Sequence, residues 1–146
     1  MIVDFKEATF NTASRDGRLL CSPRNPIKEA TDWLSRQKIT IEDRSVLVLG
    51  FGAGFHVREL QRQFSNLKIH ILELDSHYVN SDYVFTNNPK SEDYDAILAF
   101  RPAWAGLEEK YLKYYLQLTG RDQNPDTFFL NIDEQKVWYC LRELIK

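Results

Sequence analysis

The groups in this chain whose type and spacing point to chemistry are a glycine run, Gly50-Phe51-Gly52-Ala53-Gly54, and one acid, Glu73. Glycines on alternate positions let the backbone turn sharply with φ > 0, and they keep side chains away from a ligand that must touch the main chain. The run follows the apolar segment Ser45-Val46-Leu47-Val48-Leu49, and it precedes Val57, Leu60 and Phe64, which space as one helical face. A helix starting there offers unpaired N–H groups and the positive end of its dipole. Glu73 closes a second extended segment, Lys68-Ile69-His70-Ile71-Leu72, where its carboxylate could accept both hydroxyls of a ribose. Asp75 competes for that role but aligns less well. The expected ligand is therefore of the adenosine type. Its binding residues are Gly50, Phe51, Gly52, Ala53, Gly54 and Glu73.

A glycine loop works only if a strand and a helix hold it. The unbroken apolar run before Gly50 is the pattern of a central parallel strand buried on both faces. Residues 94–100 (YDAILAF) read as another buried strand, and 83–85 as a short one. Asn25-Pro26 gives an N-cap and a first-turn proline, followed by Ile27, Ala30 and Leu34 on one helical face ending near Lys38. Leu107, Tyr111, Tyr114, Tyr115 and Leu118 mark a further helix closed by Gly120, residues 127–132 (TFFLNI) a last strand, and Asp133 the cap of a final helix. Alternating strands and helices predict an α/β fold, a Rossmann-like three-layer αβα sandwich with a mostly parallel sheet. One connection fits poorly. The nine residues between Glu73 and Tyr83 are fewer than the dozen or more a parallel crossover normally takes. Either a helix there has shrunk to a turn, or 83–85 is not a parallel strand.

With 146 residues the chain suits a single domain, 1–146, with 1–25 as a loop-rich leading segment. A formal charge of −2 from interspersed acids and bases provides no one-sided basic face, so nucleic acid is not an expected partner. Asp4, Lys6 and Glu7 stand where a signal peptide needs an apolar run, and no apolar stretch approaches membrane-spanning length. A cytoplasmic protein without membrane contact is expected, with Cys21 and Cys140 as reduced thiols and no metal site.

The spacing G-x-G-x-G lacks the third glycine of the dinucleotide fingerprint, because Phe55 stands in its place. VLVLGFGAGFHVREL followed by IHILELDS resembles motif I and the second strand of class I S-adenosylmethionine (SAM)-dependent methyltransferases, over residues 45–76. That resemblance implies SAM as cofactor, with Gly50, Gly52 and Gly54 as its loop and Glu73 on its ribose, in a domain reduced relative to the full enzyme. SRDGRLLCSPRNPIKEATDWL, ahead of the glycine loop, resembles the opening of the Rossmann-like domain of motility accessory factor (Maf-type) proteins, through Ser22, Asn25, Pro26, Glu29, Ala30, Gly50, Gly52, Gly54 and His56. FRPAW at 100–104 also fits that family's strand end. Family members continue into a much larger central domain thought to carry the transferase chemistry, so the resemblance implies binding without catalysis.

Three functional readings follow. The first is a nucleotide- or SAM-binding domain with no catalysis of its own. The second is an active SAM-dependent methyltransferase on a small acceptor. Phe100-Arg101-Pro102-Ala103-Trp104 stands where an acceptor pocket belongs but lacks the amine-activating pattern. His56, Arg101 and Trp104 are the candidate substrate contacts; the alternatives are a helix-surface histidine and, for Arg101, a solvent-facing charge. The third is a degenerate fold used for assembly, which a loop filled by Phe51 or Phe55 would favour. The tyrosine stripe reads as packing, with a protein-partner surface as its alternative.

Overall fold

The computed structural model describes residues 13–120 of the chain. The expected strand at 127–132, the helix after Asp133, and Trp138 and Cys140 lie outside the described residues. The described elements, in chain order, are a hairpin of β1 (Ser14–Arg15) and β2 (Arg18–Leu19), helix α1 (Pro26–Ser35), β3 (Ser45–Leu49), α2 (Phe55–Gln63), β4 (Lys68–Leu72), β5 (Val84–Phe85), β6 (Ala96–Ala99) and α3 (Glu108–Leu118). Strands β3 to β6 form one sheet in the order β5-β4-β3-β6, and every neighbouring pair is parallel. Helices α1 and α2 cover one face through Trp33, Leu34, Val57 and Leu60 against Val46, Val48, Ile69 and Ile71. Helix α3 covers the other through Tyr111, Leu112 and Leu116 against Leu47, Leu49 and Leu72. This is a three-layer α/β sandwich of the Rossmann-like kind, with β3 buried on both faces as its unbroken apolar run requires.

The short connection resolves in favour of a shrunken helix. A single 3₁₀ turn, Ser76–Tyr78, capped by Asp75, replaces the crossover helix, and β5 still pairs parallel to β4. A strand this short, two residues, leaves little span for the crossover to bridge. The hairpin turns on Asp16 (φ 53°) and Gly17 (φ 78°). Two successive positive φ angles suit the right-handed twist of its strands, and Asp-Gly is a favoured pair for such a turn.

The segment that carries the Maf-type resemblance has a local physical role in capping α1. The Asn25 side chain accepts from Lys28 N at 3.0 Å, Asn25 N donates to Ser22 Oγ at 3.1 Å, and Ser22 N donates to Glu29 Oε1 at 2.7 Å. The first of these bonds satisfies a first-turn N–H group, and the other two tie the hairpin's exit to the helix start. Among the described residues, no helix is long and apolar enough to cross a membrane.

Candidate functional site

Sheet order places the topological switch point between β3 and β6, because the chain runs from β3 outward through β4 and β5 and then returns to the other side. In open α/β sheets ligands lie outside the carboxyl ends of the strands at such a point. The glycine loop begins there: Gly50 N bonds Leu72 O at 3.0 Å, and α2 starts at Phe55 with left-handed Gly54 as its cap and no capping side chain. The Phe51 and Gly52 N–H groups converge on a single acceptor position.

Glu73 fills that position. Its Oε1 accepts from Phe51 N and from Gly52 N, each at 3.0 Å. Its Oε2 accepts from Asp75 N at 2.8 Å and from the Tyr111 hydroxyl at 2.7 Å, with Arg15 Nη2 at 3.7 Å. The Glu73 side chain is 0% exposed. The acid therefore stands beside the loop, as its spacing predicts, but its hydrogen-bonding capacity is used by the protein itself. Tyr111 sits between α3 and the loop, accepting from Leu74 N at 3.0 Å while donating to Glu73. Burial, with Glu73 beside it, raises the Tyr111 phenol far above its usual range, so it stays a donor.

The space above the loop is occupied as well. Leu20, fully buried, leans over Gly52; a Cβ there would lie 3.1 Å from Leu20 Cβ and 3.3 Å from Ala103 Cβ. The Phe51 ring crosses Gly54, where a Cβ would lie 2.5 Å from Cζ, and it packs inward against Tyr83 and Phe85. At Gly54 a φ of +81° and that ring contact act together. Gly54→Ala combines left-handed strain with overpacking and is expected to cost roughly 2–4 kcal/mol. A urea titration checks it; a cost under about 0.5 kcal/mol would mean that the loop relaxes freely.

Of the expected substrate contacts, His56 is a correction. It is neither on the helix surface nor open to a ligand: it is 1% exposed, stacked on Phe100 at 3.8 Å, edge-on to Trp33, and bonded through Nε2 to Gly50 O at 2.8 Å. A carbonyl only accepts, so Nε2 carries the proton, and Nδ1 has no hydrogen-bond partner. Burial lowers its pKa to about 3, against the smaller opposing effect of the Gly50 carbonyl. The chain turns inward at that helix start because Val57 and Leu60 must reach the sheet, and His56 is carried in beside them.

Trp104 is likewise a core residue, 2% exposed, stacked on Tyr111 at 5.4 Å and donating to Leu49 O at 2.8 Å. Arg101 lies over the Trp104 ring at 5.5 Å and is half-buried rather than freely solvated. Arg101, Trp104, Gln37 and Tyr115 border a cleft of about 170 Å³ beside β6, and no residue of the glycine loop lines it. The expected loop and the expected acceptor contacts therefore do not share one cavity. Among the described residues no cluster of His, Cys, Asp or Glu is arranged to hold a metal ion.

Sequence reasoning missed Arg15, Leu20 and Tyr111. Tyr111 left a signal: a tyrosine within an apolar helical stripe needs a partner for its hydroxyl when buried. Arg15 and Leu20 left none beyond the Asp-Gly turn, because their positions depend on where the hairpin docks. Compared with protein-family models, with curated proteins and with solved structures, the chain finds no match in any of the three.

Proposed function

We propose that this chain is a Rossmann-like domain that binds a nucleotide- or SAM-type ligand at its glycine loop, without catalysis of its own, and that its described form is the closed one. The observation that supports this reading is the convergence of the Phe51 and Gly52 N–H groups with a carboxylate from the neighbouring strand end, at the carboxyl end of the switch-point strand. With Oε1 held by those two amides, Oε2 is the carboxylate oxygen that could serve the ribose hydroxyls of a ligand lying over the loop. On this reading Gly50, Gly52, Gly54 and Glu73 hold the ligand once the covering segment moves, and the setting is cytoplasmic.

The absence of catalysis on this reading rests on the side chains present. Glu73 is tied to four donors, His56 faces the core, and the Arg101 cleft is separate from the loop. Transfer of labelled methyl from SAM to any acceptor would replace it with the methyltransferase reading.

A second reading has its own observation. Leu20, Phe51 and Glu73 fill the notch that a ligand needs, which favours a loop used only as a structural joint in an assembly domain. Calorimetry with S-adenosylhomocysteine, adenosine and ATP separates the two. The binding reading expects saturable heat with at least one of them, and a rise in stability of about 2.7 kcal/mol at a hundredfold excess over Kd. No heat and no thermal shift with any of the three would leave the structural joint.

A further inference from the structure

Resting on the binding reading above, we propose that the hairpin of β1 and β2, with Leu20, is a self-occluding strap: its Arg15 guanidinium stands where the ligand's donor groups would go, so strap docking and ligand binding exclude each other.

Arg15 reaches into a nest made wholly of acceptors. Its Nε donates to Asp75 Oδ2 at 3.1 Å, its Nη1 to Ala103 O at 3.2 Å and Ala105 O at 2.7 Å, and its Nη2 lies 3.7 Å from Glu73 Oε2. The two acids follow β4 and the two carbonyls follow β6, so the nest spans the switch point from both sides. The Arg15 side chain is 9% exposed, yet Nη2 makes no hydrogen bond. The two N–H groups of Nη2 meet Glu73 only at ion-pair distance, so this is the loosest of the guanidinium's contacts in the nest.

The rest of the strap is held at its margins. Tyr78 Oη donates to Ser14 O at 2.6 Å, and the exposed Arg18 pairs with Glu108 at 2.6 Å. Its sheet is a hairpin of two residues per strand that pairs with no other strand among the described residues. Only Leu20 is fully buried, over Gly52. The strap thus covers the loop through one apolar plug and one guanidinium, without joining the main sheet. Lifting it would expose both the loop and the acceptor nest. That nest suits hydroxyls, amines or a cation and repels phosphate, because two carboxylates line it.

A ligand that competes with the strap sees its affinity reduced by the fraction of time the strap is open. The test is calorimetry of the whole chain with S-adenosylhomocysteine, comparing wild type with Arg15→Gln, Leu20→Ala and Tyr78→Phe. Tyr78→Phe is the mild variant, removing one marginal bond, and each variant is first shown folded by denaturant titration. The expected result is tighter binding than wild type by about three- to tenfold for Tyr78→Phe and more for Arg15→Gln. Saturating S-adenosylhomocysteine should also speed hydrogen exchange at the Arg15 Nε–H, which bonds Asp75 Oδ2 at 3.1 Å across the strap's seam in the closed form. Equal affinity in wild type and folded variants, with exchange at the Arg15 Nε–H of the wild type unchanged by ligand, would overturn the strap while leaving the binding reading intact. No binding by any folded form, including a Tyr78→Phe variant whose Arg15 Nε–H exchanges freely, would overturn the binding reading and the strap with it.

Discussion

Replacing Glu73 by Ala is expected to destabilise the fold by roughly 3–5 kcal/mol, because it would strand Phe51 N, Gly52 N, Asp75 N and the Tyr111 hydroxyl together in a buried site. Arg15 would lose one of its two carboxylate neighbours at the same time. Glu73→Gln is expected to cost less, roughly 2–3 kcal/mol, since the amide oxygen can still serve the two loop N–H groups while its NH₂ faces two donors at the other end. Tyr111→Phe should cost about 1–2 kcal/mol, because Leu74 N then loses its acceptor. The double variant should fall short of additivity, as residues sharing one hydrogen bond do. Urea denaturation at pH 7 compares the four variants with wild type. A Glu73→Gln variant within about 0.5 kcal/mol of wild type would show that the carboxylate is not committed to the loop. This measurement also governs how ligand studies are interpreted: weaker binding in a Glu73 variant reports on the ligand only after its folded fraction is known.

The second large effect is acid sensitivity set by His56. Its folded pKa, about 3, lies below the 6.5 of an unperturbed imidazole because the ring is fully buried between Phe100 and Trp33. Between those values the unfolded chain binds a proton that the folded chain does not. Stability is therefore intact above about pH 6.5 and falls as pH drops toward 3, by about 2 kcal/mol at pH 5 and about 5 kcal/mol across the window. His70, half-buried and bonded to Tyr94 Oη at 2.8 Å, is shifted in the same direction by burial and adds a smaller slope. Glu59, Asp75, Asp95 and Glu108 have lowered carboxyl pKa values, and their losses begin only where carboxylates protonate. The limb from pH 6.5 to about 5 is thus chiefly histidine. Denaturant midpoints measured at intervals of half a pH unit should show it. His56→Phe should flatten that limb while lowering stability at pH 7 through loss of the Gly50 bond; His70→Gln should flatten it slightly. A His56 ring whose NMR shifts titrate near pH 6.5 in the folded protein would contradict this account.

The strap and the buried Glu73 bear on each other. Arg15 links Asp75 to the carbonyls of Ala103 and Ala105, and so ties the β4 end to the β6 end across the switch point. A ligand entering the loop would have to replace that link as well as the Leu20 plug. Glu73, in contrast, could keep its bonds to the loop through Oε1 and exchange only those at Oε2, where Arg15 stands.

The fold was legible in the sequence because its signals are local. The apolar run ending at Gly50 identifies a strand buried on both faces, Asn25-Pro26 starts α1 where the Asn25 side chain then caps it, and Gly120 (φ 72°) follows the end of α3. The loop and Glu73 were legible too, since a strand–glycine–helix unit and the next strand end must lie side by side in a parallel sheet. What occupies the loop was not. Whether Glu73 faces a ribose or the Phe51 and Gly52 amides depends on Tyr111, 38 residues further on, and on Arg15, 58 residues before it. His56 reads as a polar helix residue and becomes core only because the start of α2 meets both Trp33 of α1 and Phe100 beyond the end of β6. Periodicity and turn chemistry act over a few residues, whereas closure of the notch comes from contacts between segments whose docking no local pattern encodes. Residue types alone determined that a strand–glycine–helix unit with an acid beside it exists here; tertiary packing alone decided that Leu20, Arg15 and Tyr111 should fill it.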